Sequence, residues 1–194
     1  MKCDLPQLWI DEEWLTKNPE RISQAQVDVN TYLRASERLY KGKMILHIGI
    51  GNSSIAKELR DVFGWITGIT NTKQEFEMGK LNNVVYLLNK YNLEDFKWID
   101  DDYDVIVDVN LKCFACCEDH WLGFMKEVQN KLKVGGRLIS HTAGFGGHRS
   151  PKTDFDNSNT MEELYKLLEP NCFLFEMKHL SDKSGYYPFI IEKT

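Results

Sequence analysis

The run Lys43-Met44-Ile45-Leu46-His47-Ile48-Gly49-Ile50-Gly51-Asn52-Ser53-Ser54 constrains this chain more than any other feature. It passes from a short apolar stretch through two glycines into a helical pattern. Gly49 permits a tight turn and Gly51 lets a ligand approach the backbone, while the amides that open the next helix favour an electronegative group. Ser53 or Ser54 is placed to cap that helix. A buried strand turning sharply into a helix is the opening of a parallel sheet with crossover helices.

The rest of the chain repeats that alternation. Strands are expected at 43–49, 65–69, 83–88, 103–109, 136–141, 172–179 and 186–193, and helices at 53–62, 72–81, 117–132 and 160–169. An alternative for one region is a single helix over Lys73 to Asn89, with Phe96 to Ile99 as the strand. Only Ser181 to Gly185 separates the last two strands, so they are expected to form an antiparallel hairpin. The fold class is therefore α/β: a doubly wound sheet of about seven strands, mostly parallel, ending in an antiparallel hairpin.

Residues 1–42 read as a helical N-terminal segment on a core spanning 43–194, the whole chain 1–194 being one domain. Asn18-Pro19-Glu20 has the form of a helix start. Ile22, Ala25, Val29, Tyr32, Leu33, Ser36 and Leu39 follow at helical spacing, and Gly42 is the expected stop. With Trp9 and Trp14, this segment either acts as a lid or pairs with a second copy in a homodimer.

Lys+Arg 24 against Asp+Glu 29 leaves a net charge of −5, which disfavours nucleic acid and anionic membranes as partners. Acids interrupt the first residues where a signal peptide needs an apolar run, and five cysteines in a chain of this size suit a reducing compartment. A cytoplasmic protein is expected. Cys113, Cys116, Cys117 and His120 have partial zinc-ligand spacing, but no second pair stands near them. They lead into a helix whose Trp121, Leu122, Phe124, Met125 and Val128 read as core, so buried thiols and no metal are expected. Asp100, Asp101, Asp102 and Asp104 read as a solvated turn.

A dinucleotide-binding reading wants a third glycine and an acid at the end of the second strand. Ser54 and Thr70-Asn71 stand there instead. The sequence resembles the class I S-adenosylmethionine-dependent methyltransferases, which are Rossmann-like, over most of 43–194. HIGIGNSS stands where that family has its acid-x-Gly-x-Gly-x-Gly loop, and ITGIT stands at the second strand. YDVIVDVN looks like the fourth strand, and LKVGGRLISH is similar to the family's Leu-Lys-Pro-Gly-Gly turn and fifth strand. His47 replaces the acid that orients the methionine part of the cofactor, Ser53 the third glycine, and Thr70 the ribose-binding acid. ITGITNTKQEFE also looks like the matching stretch of coclaurine N-methyltransferases and cyclopropane fatty acid synthases, where a Thr takes that place.

The resemblance implies S-adenosylmethionine as cofactor and S-adenosylhomocysteine as product. It places His47, Gly49, Gly51, Asn52 and Ser53 at the loop, Thr70, Asn71 and Gln74 at the ribose, Asn92 and Leu93 at the adenine, and Asp108 and Asn110 after the fourth strand. A hydroxyl or amine acceptor needs a base, and His141 comes before Asp108 because imidazole titrates near neutrality. The glycine-rich stretch from His141 to Lys152 reads as a substrate loop, with His148 and Arg149 recognising a small polar or acidic acceptor. DVNL at 108–111 is not the Asn/Asp-Pro-Pro-Tyr of adenine-modifying DNA methyltransferases. Transfer of another group, such as aminopropyl, and a noncatalytic scaffold are the competing readings.

Overall fold

β-branched and other apolar residues dominate Met44–Ile48 (β1), Trp65–Thr70 (β2), Val84–Leu87 (β3), Tyr103–Val107 (β4), Leu132–His141 (β5), Cys172–Glu176 (β6) and Pro188–Lys193 (β7). The computed structural model describes residues 22–113, 115, 117–145, 160–168, 171–180 and 185–194. The seven strands form one sheet in the order β3-β2-β1-β4-β5-β7-β6. The pairs from β3 to β5 are parallel, and β7 lies antiparallel between β5 and β6. Chain direction away from β1 reverses between β1 and β4, so a crevice opens at their carboxyl ends.

Helices cover both faces. On one, Gln24–Ala35 (α1), Glu37–Tyr40 (α2) and Ser54–Glu58 (α3) lay Val29, Leu33, Tyr40, Ile55 and Ala56 against Ile45, Val105, Val107 and Ile139. Lys73–Met78 (α4) joins β2 to β3. On the other face, Leu93–Phe96 (α5), Glu118–Lys131 (α6) and Thr160–Leu168 (α7) bring Phe96, Trp121, Phe124, Met125 and Leu164 onto Leu46, Ile48, Ile106 and Leu138. Alternate residues of β1 and β4 serve the two layers, as the two-residue period of a strand requires. No helix among the described residues is long and apolar enough to cross a membrane.

Several boundaries differ from the sequence expectation, each for a local reason. The helix expected to run to Gly42 breaks at Ser36, whose φ of −103° leaves the helical range, and Leu39 is 59% exposed. Ser23 caps α1 by accepting a hydrogen bond from Gln26 N at 3.2 Å; Asn18-Pro19-Glu20 lies outside the described residues. Only Ser54–Glu58 of the helix expected at 53–62 is helical, and Lys178–Leu180 is a 3-10 turn instead of the end of β6. The long-helix alternative over 73–89 is wrong, because Val84–Leu87 pairs with β2. β5 starts four residues early, at Leu132, because the register jumps from Tyr103↔Leu132 to Val105↔Arg137 and Val134-Gly135-Gly136 bulges out. Gly136 fits there because a Cβ would lie 2.8 Å from Lys133 O. Within α6, Leu122 is exposed while its four expected companions are buried.

α1 is built into its layer, with Val29 and Leu33 fully buried. Leu33→Ala is expected to lower the unfolding free energy by about 2–5 kcal/mol, read from urea denaturation, as for other fully buried leucines.

Candidate functional site

At the end of β1 the chain takes three left-handed residues at every second position: Gly49 (φ 71°), Gly51 (φ 51°) and Ser53 (φ 62°). Ser53 therefore keeps the backbone a third glycine would give, at the cost L-residues bear in that region. The buried Ser53 side chain is held by Asn82 Nδ2, which donates to its Oγ at 3.4 Å. It is the N-cap residue of α3 without a side-chain capping bond.

His47 lies in β1 just before this turn, fully buried beneath α1. Its Nε2–H donates to Gln26 Oε1 at 3.2 Å, Gln26 Nε2 donates to Asn30 Oδ1 at 2.8 Å, and Asn30 Nδ2 donates to Glu58 Oε2 at 2.9 Å. Burial lowers the His47 pKa to about 3, so the ring is neutral. Its Nδ1, like Ser54 Oγ at the start of α3, is buried with no hydrogen-bond partner among the described residues.

At the end of β2, Thr70 is buried and donates its hydroxyl to Glu75 Oε2. Glu75 also accepts from the Gly51 amide, and burial raises its pKa against the opposing pull of these donors. Thr72 caps α4, its Oγ1 accepting from Glu75 N at 3.3 Å. A carboxylate thus stands between the glycine turn and β2, although no acid occupies the end of the strand. The sequence reading missed Glu75; its signal was the Thr72-x-x-Glu75 capping pattern, which turns a glutamate back toward the helix start. Asn71 and Gln74 flank it, both half-buried.

Asp108 follows β4 and is 1% exposed. Its Oδ2 accepts from Lys90 Nζ at 2.6 Å, its Oδ1 from Asn110 N at 3.0 Å, and its carbonyl from Ser140 Oγ at 2.6 Å. Lys90 spends its other protons on Asn110 O and Leu111 O, at 2.6 and 3.2 Å. The loop after β3 thereby clamps the turn after β4, a contact that sequence spacing does not announce. Asn92, expected at an adenine, caps α5: its Oδ1 accepts from Asp95 N at 3.5 Å and its Nδ2 donates to Asp95 Oδ2 at 2.5 Å. Leu93 packs on the core.

His141 ends β5 and is 1% exposed. Its Nδ1 accepts from Ala143 N at 3.2 Å, so the ring proton is on Nε2, which faces Asp28 Oδ2 of α1 at 3.2 Å. Asp28 was not foreseen either, because its only signal is a tertiary contact across 113 residues. His148 and Arg149 lie outside the described residues, as do Trp9, Trp14, Cys3 and Cys116. Of the thiols, Cys113 is buried with its pKa pushed up to about 11 by burial, whereas Cys117 is half-buried beside His120 Nδ1 at 3.1 Å. Asp104, read as solvated, instead accepts from Met44 N and Lys133. A cavity of about 230 Å³ lined by Tyr40, Lys43, Asp104, Lys133 and Arg137 lies at the opposite, amino-terminal end of the sheet.

No family model matches the chain, and no curated protein matches it by sequence. Solved structures do. An rRNA methylase from Streptococcus thermophilus is 13% identical with a TM-score of 0.61, covering 89% of this chain and 98% of its own. The N-methyltransferase NodS from Bradyrhizobium japonicum WM9, in complex with S-adenosyl-L-homocysteine, is 12% identical with a TM-score of 0.62, covering 96% and 94%. The fold is that of the class I methyltransferases. A third structure with this fold, an S-adenosylmethionine-dependent methyltransferase from Clostridium acetobutylicum, is 11% identical with a TM-score of 0.62, covering 92% and 95%. The glycine turn, Glu75, Asp108 and His141 all stand at the carboxyl edge of the sheet.

The buried neutral His47 makes stability depend on pH. As pH falls from the ordinary imidazole value near 6.5 toward 3, the unfolded chain takes up a proton that the native ring refuses. Stability then falls by up to about 1.4 kcal/mol per pH unit from this group. His47→Gln is expected to flatten that part of the curve in urea titrations run between about pH 7 and pH 4.

Proposed function

We propose that this chain is an S-adenosylmethionine-dependent methyltransferase acting on an oxygen or nitrogen of a small polar molecule and releasing S-adenosylhomocysteine. The observation that carries the reading is the turn after β1, with its left-handed residues at 49, 51 and 53 and two buried polar atoms, His47 Nδ1 and Ser54 Oγ, that have no hydrogen-bond partner among the described residues. Buried polar groups are nearly always satisfied, so such a pair beside a ligand-binding turn supports a polar ligand. His47 Nδ1 can only accept, which suits an ammonium such as that of the cofactor's amino-acid end. Gly49, Gly51, Asn52 and Ser53 provide the backbone of that seat. Glu75 and Thr70, with Asn71 and Gln74 beside them, offer the carboxylate, hydroxyl and amide groups that a ribose diol can pair with.

When bound, the cofactor supplies a methyl group on a sulfonium, an electrophile whose leaving group is already good. The chain's own residues have to align the acceptor and remove a proton. Asp108 is closed off by Lys90 and serves to fix the turn that carries Asn110, so the proton-accepting task falls to the His141 end of the edge. His148 and Arg149 are assigned to polar or acidic groups of the acceptor. The net charge of −5 supports a small molecule over ribosomal RNA, and a cytoplasmic location fits the cysteine usage.

Calorimetric titration with S-adenosylmethionine and S-adenosylhomocysteine is expected to give micromolar binding, and a nicotinamide dinucleotide none. Failure of both sulfur ligands to bind overturns the reading and favours a scaffold. Glu75→Gln is expected to weaken S-adenosylhomocysteine about tenfold, the effect of losing one charge-assisted hydrogen bond. Gly49→Val, which forces a β-branched residue into a left-handed position, is expected to abolish binding.

A further inference from the structure

We infer that the acceptor is an amine, and that the carboxylate of Asp28 on α1 holds it and takes its proton while His141 positions that carboxylate; this rests on the methyltransferase reading above. The argument begins with His141. Both its ring nitrogens are engaged, Nδ1 with Ala143 N and Nε2 with Asp28 Oδ2, each at 3.2 Å, and the ring is 1% exposed. An imidazole whose Nδ1 already accepts a backbone proton has no lone pair for a substrate. It acts through Asp28 instead.

Asp28 has what His141 lacks. Its side chain is 19% exposed, and its described partners are neutral donors: Gln24 Nε2 on Oδ1 at 2.7 Å and His141 on Oδ2. Each carboxylate oxygen has two lone pairs, so each keeps one acceptor site beyond these bonds. The contrast with Asp108 is direct, since that carboxylate lies against a lysine ammonium at 2.6 Å and is buried with it. Of the two carboxylates beside β4 and β5, Asp28 is the one whose charge no described lysine or arginine side chain pairs with.

That charge selects the acceptor. An ammonium is drawn to a carboxylate and must lose one proton before its nitrogen can attack. In the step assigned to Asp28, an N–H bond of the ammonium breaks, its electron pair stays on nitrogen, and the proton passes to a carboxylate oxygen. The result is a neutral amine beside a neutral carboxylic acid, whose other oxygen still accepts from His141. Toward a given carboxylate, an alkylammonium is the better proton donor by about 5 pKa units over an aliphatic hydroxyl as weakly acidic as water, and such a hydroxyl brings no opposite charge to hold it beforehand.

The test uses the full chain. With S-adenosylmethionine present, S-adenosylhomocysteine release is measured with benzylamine, butylamine and spermidine, and with benzyl alcohol, ethylene glycol and glycerol. Turnover is expected with at least one amine and with none of the hydroxyl compounds. Asp28→Asn keeps one acceptor oxygen for His141 Nε2–H, and the exposed Gln24 amide can turn its Oε1 toward the new Nδ2–H, so S-adenosylhomocysteine affinity should stay within about threefold, while turnover of the active amine at neutral pH should fall at least about 100-fold. Calorimetric binding of that amine to the S-adenosylhomocysteine-loaded protein should be lost in the same variant. Near pH 10, where much of the amine is already neutral, turnover by Asp28→Asn should recover to within about tenfold of wild type, which a merely structural role would not produce. The inference is overturned if S-adenosylhomocysteine binds but only hydroxyl compounds, or neither set, turn over. It is equally overturned if Asp28→Asn matches wild type in turnover and amine binding, or fails to recover at high pH. Absence of S-adenosylhomocysteine binding by wild type would instead sink the reading on which it rests.

Discussion

Two buried histidines at strand ends set the terms for the rest of this molecule, and α1 answers both. His47 at the end of β1 and His141 at the end of β5 are nearly or fully removed from water, so each must find protein partners or leave polar nitrogens unsatisfied. Gln26 meets the first and Asp28 the second, two residues apart on one helix. The first contact runs on through Asn30 to Glu58. The apolar residues Val29 and Leu33 press the same helix into the core. Polar matching therefore fixes where along the sheet α1 sits, while burial holds it down; hydrophobic contact alone is not directional enough to do the first.

The glycine turn depends on a different segment. A strand end that changes abruptly into left-handed backbone leaves its neighbours exposed to strain, and at 53 the chain has a serine where a glycine would be unstrained. Asn82 and the backbone of Met78 hold Ser53 from outside the turn, and the Glu75 carboxylate holds Gly51 through its amide. The turn is shaped as much by residues 75–82 as by its own sequence.

Much of the fold was legible, because the signals involved are local. All seven strands overlap the apolar runs that announced them, and the terminal antiparallel pair was expected from the short stretch between its strands. The misplaced boundaries mark where a local pattern met a tertiary demand. Leu39 continues the helical spacing yet faces solvent, because the helix breaks at Ser36. Val134-Gly135-Gly136 reads as a turn but is a bulge inside β5. The candidate site was legible only by position. His47, Thr70, Asp108 and His141 do occupy strand ends, but the groups that set their chemistry, Gln26, Glu75, Lys90 and Asp28, come from other elements. Of these, Glu75 alone left a local mark, in the capping pattern with Thr72.

Three carboxylates at the carboxyl edge, otherwise alike, are separated by their partners. Asp108 faces a full cation, Glu75 faces a hydroxyl and a backbone amide, and Asp28 faces an imidazole and an amide side chain. A carboxylate neutralised by lysine is a poor receiver of protons and a good anchor for a turn. One that burial makes more reluctant to ionise, as at Glu75, is suited to neutral hydroxyls. One left anionic among neutral donors is suited to a cation. Different surroundings imposed on the same functional group give one sheet edge three carboxylates of unlike chemistry.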